Sequence, residues 1–148
     1  MNNQLLIIIT LITGALIPIQ AAANAACSKA TGNPILAAFI TLSTGLIAII
    51  LYMVISKTPL PEIATLKSVH PINFTAGLIV AIYLIIITFI TPRLGVGSSI
   101  GLIITGQIIG AITIDHYGFF NTMIRTVDFK RVLGTLFMII GIYLVMKK

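Results

Sequence analysis

The sequence predicts an all-α integral membrane protein with five transmembrane helices, and three observations lead there. Hydrophobic residues make up 58% of the chain and charged residues only 8%. Mean hydropathy is +1.15. The apolar residues also fall into five runs, each close to the roughly 20 helical residues that cross a hydrocarbon core about 30 Å thick. Soluble domains carry about 25% charged residues, so no soluble class fits. A length of 148 residues with short connections leaves room for a single transmembrane domain, residues 1–148. The net charge of +6 is concentrated between the apolar runs, as flanking anchors are, and no nucleic-acid partner is expected.

The first span is expected near residues 5–26. The Ala-rich stretch from Ala21 to Ala26, followed by Cys27, has some features of a cleaved signal. However, no Lys or Arg precedes the run, and the run exceeds a typical signal core. A retained membrane span is the expectation. Pro34 suits the first turn of a second span near 34–55, and Pro71 that of a third near 71–91, which Pro92 should end. The intervening Ser56-to-His70 segment, with Pro59, Pro61, Glu62 and Lys67, could form a short interfacial helix. The fourth span is expected near 95–114. The fifth, near 132–146, is the shortest; Lys130 and Arg131 before it and Lys147 and Lys148 after it can snorkel to the interfaces. Asp128 or Thr126 could cap it.

An odd number of spans places the termini on opposite faces, so the cations can be counted by side. Lys57, Lys67, Arg125, Lys130 and Arg131 lie with the N-terminus; Lys29, Arg93, Lys147 and Lys148 lie opposite. Orientation follows the Lys/Arg bias of short loops, and five against four is nearly no bias. Chains inserted both ways can pair about an axis in the membrane plane, the geometry of inverted-repeat transporters. The expectation is therefore an antiparallel (inverted) homodimer of ten helices, or a pair with a homologous chain of opposite topology.

Polar groups inside the spans mark the candidate pathway. Projected at about 100° per residue, the first span brings Thr13, Gln20 and Asn24 onto one stripe. Amides in lipid are costly without partners, so this stripe faces either a wet pathway or a neighbouring helix. Pro18 deprives a backbone carbonyl of its helical donor and could hinge the span. Ala37, Thr41, Thr44, Gly45 and Ala48 in the second span, and Asn73, Gly77, Ala81 and Thr88 in the third, read as faces for close helix packing. The fourth span carries two small-residue pairs, Gly97 with Gly101 and Gly106 with Gly110. It also holds Gln107, a further pathway candidate, and ends at Asp115 and His116. Asp115 could pair with Arg93 or with a cation of the following loop; the two are candidates for coupling or gating, along with Pro18.

No Asp, Glu, Lys, Arg or His falls in the middle of any span, so proton antiport through a central carboxylate is not expected. Cys27 is the only cysteine, His70 and His116 lack partners at ligand spacing, and no nucleophile and base lie at workable spacing. No cofactor, metal or enzymatic activity is expected.

These residues resemble the YdcZ-type small proteins of the drug/metabolite transporter superfamily over essentially the whole chain. The resemblance rests on Gly14, Pro18, Gln20 and Asn24, then Gly32 and Pro34, then the Pro-Arg-Leu-Gly run from Pro92 to Gly95. It continues with Gly106, Gln107, Asp115, His116, Tyr117 and Gly118, and with Arg131, Gly134 and Gly141. It implies five-helix units that assemble as antiparallel pairs or occur fused as ten-helix proteins, relatives of the small multidrug resistance exporters. It further implies transport of small organic molecules in the bacterial inner (plasma) membrane. The missing central carboxylate departs from those exporters and leaves coupling open.

The function expected is alternating-access transport of a small polar or zwitterionic organic molecule at the interface of an antiparallel dimer. Gln20, Asn24, Gln107 and Thr13 would line the path. The alternative is a non-transporting scaffold or accessory subunit that docks a larger protein through its small-residue faces.

Overall fold

The computed structural model of the chain describes residues 2–147. Helix α1 spans Asn3–Thr31, α2 Pro34–Ile55, the short α3 Ile63–Ser68, α4 Thr75–Leu94, α5 Val96–Tyr117 and α6 Phe129–Met146. A 3₁₀ turn, Pro71–Phe74, leads into α4. Among the described residues, five segments are long and apolar enough to cross a membrane: α1, α2, Pro71–Leu94, α5 and α6. The five expected spans are therefore present, and α3 occupies the loop where a short interfacial helix was expected.

Local chemistry explains the boundaries. Gly32, at φ +67°, supplies the left-handed residue that closes α1, a position where a Cβ is penalised. Asn33 then starts α2, its Oδ1 accepting from the N–H groups of Ile35 at 2.9 Å and Leu36 at 3.3 Å, with Pro34 at the first helical position. Asp128 caps α6 by accepting from the Arg131 N–H at 2.8 Å. Gly118, at φ +65°, closes α5, and its N–H donates to the Ile114 carbonyl.

The third span departs from expectation at its end. Pro92 lies inside α4, which runs on to Leu94. A proline removes a hydrogen bond to the carbonyl four residues earlier, yet within the last turn little helix remains to be broken. The first span is also longer than expected at both ends, because Asn3, Gln4 and the Cys27–Thr31 segment continue the helix beyond the apolar run.

The chain divides into two compact units. One comprises the residues up to Pro18 together with those from Leu94 onward; the other is Ile19–Arg93. In the first, α5 packs on α6 closely enough that a Cβ on Gly101 would stand 3.1 Å from the Ile142 Cγ2. Gly97, Gly106 and Gly110 of the same helix have open space at that distance. In the second unit the buried residues are few, and most are small or polar: Ala21, Asn24, Ala37, Ala38, Thr88 and Thr91, with Leu84 and Ile87 the two large apolar ones. Large apolar side chains instead point outward on every span, for example Leu11, Ile55, Leu78, Ile109 and Val145. No residue of α6 is buried. A chain that buries polar groups while presenting Leu, Ile and Phe outward is arranged for a lipid surround.

Candidate functional site

Most hydroxyls of the spans are satisfied by their own helix. Thr10 donates to the Leu6 carbonyl, Thr13 to Ile9, Thr44 to Ile40, Thr105 to Gly101, Thr113 to Ile109 and Thr135 to Arg131, at 2.8–3.0 Å. This back-bonding hides the donor where water is absent. Thr13 is exposed as well, so its donor is not free for a solute.

Asn24 behaves differently. It is 4% exposed, and its Oδ1 accepts from the Thr41 hydroxyl of α2 at 2.6 Å. The same hydroxyl lies 3.0 Å from the Ala37 carbonyl, so Thr41 has a second acceptor within reach. The Asn24 Nδ2 has no partner among the described residues. Gln20, one turn earlier on the same stripe, is half-buried. The second unit thus brings Asn24 onto Thr41, a residue read from the sequence as part of a packing face. It leaves one amide donor buried and unspent. A buried unpaired donor costs about 1–3 kcal/mol.

Two further groups share that condition. Thr88 is 0% exposed and Thr91 3% exposed, and neither Oγ1 has a hydrogen-bond partner among the described residues. Thr88 was legible only as a packing residue and Thr91 only as a span end. A signal was nonetheless available. Pro92 has no N–H to offer the Thr88 carbonyl four residues before it, so polarity left over at this point of α4 was inferable.

In the first unit Gln107 is exposed on α5, and Pro18 is half-buried within α1, where it has no N–H for the Gly14 carbonyl. Asp115 pairs with Arg131, Nη1 to Oδ2 3.6 Å, the side chains being 28% and 37% exposed for Arg131 and Asp115. Its partner is thus the cation at the head of α6. Arg93 folds back on α4: its Nη1 donates to the Phe89 carbonyl at 2.6 Å, and its guanidinium carbon sits 3.6 Å from the centroid of the Phe89 ring. Around Asp115 the backbone is tied further. The Arg125 N–H donates to the Asp115 carbonyl at 2.9 Å, the Val127 N–H to the His116 Nδ1 at 3.3 Å, and the Arg131 Nη1 to the Arg125 carbonyl at 3.4 Å. These bonds fasten the α5–α6 connection to the end of α5, leaving Phe119, Phe120 and Met123 exposed.

Five apolar helices, outward-facing Leu, Ile and Phe, and polar groups buried without partners among the described residues define a multi-pass α-helical membrane protein. No curated protein and no solved structure matches the chain. Residues 5–144 match the family described as "putative inner membrane exporter, YdcZ", so the chain belongs to the YdcZ family of the drug/metabolite transporter superfamily. The family's description is that of an exporter, which supports a role in transport.

Proposed function

We propose that the chain is a single transmembrane domain of the bacterial inner membrane that exports a small polar or zwitterionic organic molecule. It would do so by alternating access at the interface of an antiparallel dimer. The observation that carries this reading is Asn24: a buried amide, held by Thr41 through its oxygen, whose nitrogen is left for a partner that the described residues do not supply. An amide offers a donor without demanding a charged substrate, which suits a neutral or zwitterionic solute. Gln20 continues the same polar stripe, and Thr13 stands at its far end with its hydroxyl already bonded within α1. Gln107, exposed on an apolar helix, needs a polar surround that lipid lacks, and a second chain inserted the opposite way would supply one. Asp115, Arg93 and Pro18 are the candidates for coupling or gating: Asp115 through its partly exposed pairing with Arg131, Arg93 through its place at the end of α4, and Pro18 through the helical donor it denies the Gly14 carbonyl.

Transport in proteoliposomes tests the reading. The combined Gln20→Ala, Asn24→Ala and Gln107→Ala variant is expected to lose most flux of candidate zwitterions while still folding and inserting. Full flux in that variant would remove these residues from the path. The scaffold reading draws on the open glycine positions Gly14, Gly45, Gly77 and Gly134, where a Cβ would meet nothing within 4 Å, since such faces accept any close-packing helix. Recovery of the chain in a stable complex with one unrelated membrane protein, with no solute flux, would favour it.

A further inference from the structure

Beyond the amide stripe, the second unit carries an open cleft of about 460 Å³ at the end where α1 stops and α2 begins. It is lined by Ser28 and Lys29 of α1, Pro34 of α2, and Thr88, Phe89 and Arg93 of α4. We propose that this cleft is a binding site for an oxyanion, a phosphate or carboxylate group held between Lys29 and Arg93.

Several independent features converge on that chemistry. Two cations line the cleft and no carboxylate does among the described residues, and their charge outweighs the partial negative ends of α1 and α4 that finish beside it. Arg93 is held ready: stacked on Phe89 and bonded to the Phe89 carbonyl, it uses one of its five N–H donors and keeps the rest of a rigid fork. Thr88 forms part of the wall, is 0% exposed, and its Oγ1 is unpartnered, unlike the back-bonded threonines elsewhere in the spans. The start of α2 lends the positive end of its dipole. Its first N–H groups are already taken by Asn33, so the helix contributes field rather than direct donors.

Two sources present this group, an anionic phospholipid and a soluble oxyanion, and one titration separates them. The purified, delipidated full chain in neutral detergent is titrated with phosphatidylglycerol, phosphatidylcholine and inorganic phosphate, with adducts counted by native mass spectrometry. The wild-type chain is expected to take one adduct of phosphatidylglycerol or of phosphate in preference to phosphatidylcholine. Competition by phosphate identifies a soluble occupant, and retention of the lipid against it a lipid occupant. Lys29→Gln with Arg93→Gln is expected to weaken that adduct about tenfold or more, and Thr88→Val less, as loss of a charged versus a neutral hydrogen bond dictates. Lys29→Gln alone, at an exposed residue, serves where the double variant does not fold. Absence of any preferred adduct on the wild type would overturn the assignment. So would unchanged affinity in the Lys29 variants, or an equal loss in a Lys130→Gln, Lys147→Gln control.

Discussion

At the scale of single residues, what distinguishes this chain is which polar atoms have partners. Asn24→Leu removes the Thr41-to-Asn24 bond, but Thr41 retains the Ala37 carbonyl. Interhelical hydrogen bonds in membranes average about 0.6 kcal/mol. Because the variant also removes the buried Nδ2, unpaired among the described residues, a condition that costs about 1–3 kcal/mol, it is expected to leave thermal stability in detergent unchanged or raise it while abolishing most transport. A large loss of stability with flux retained would make Asn24 a structural residue. The left-handed glycines offer a second contrast. Gly32 and Gly118 both have positive φ, but a Cβ at Gly32 meets nothing within 4 Å, whereas one at Gly118 would lie 2.7 Å from the Ile124 Cγ1. Gly32→Ala should cost only the backbone penalty of about 1–2 kcal/mol. Gly118→Ala should cost more, read as a larger fall in melting temperature; equal falls would contradict the contact with Ile124.

At the scale of elements, helix ends were legible and helix interiors less so. Pro34 and Asp128 were identifiable as start signals because capping is a local matter of a side chain and the N–H two or three residues on. Asp128→Ala is expected to destabilise the 18-residue α6 by about 1 kcal/mol, measurable as faster exchange of the amides near Arg131. The Asp115–Arg131 pair is partly exposed and 3.6 Å apart, so Asp115→Asn should alter stability by less than about 1 kcal/mol. A larger loss would mean that the pair is shielded from water by something bound over it. The end of the third span was placed too early because Pro92 stops a helix only where turns follow it. Here it falls within the last turn, where the carbonyl it deprives belongs to Thr88.

For the whole molecule, the near-equal division of cations is the feature with the widest consequences. Removing Lys57 and Lys67 turns a count of five against four into three against four. Because orientation follows this bias, the Lys57→Gln, Lys67→Gln variant should shift a C-terminal reporter active only in the cytoplasm, and one active only outside, in opposite directions. For the unaltered chain both fusions are expected to be active. Activity from one fusion alone would refute dual orientation and with it a homodimer of opposed copies.

The sequence by itself determined the membrane environment, the five spans and about half of their boundaries. Hydropathy, helix capping and glycine conformation act over a few neighbouring residues and leave their mark in the order of the chain. Which polar groups meet was decided only in three dimensions. That Asn24 bonds Thr41, that Asp115 pairs with Arg131, and that Thr88 and Thr91 are sealed without partners among the described residues depends on how helices approach one another. Helical periodicity fixes the face a residue occupies, but not the side chain that comes to lie opposite it.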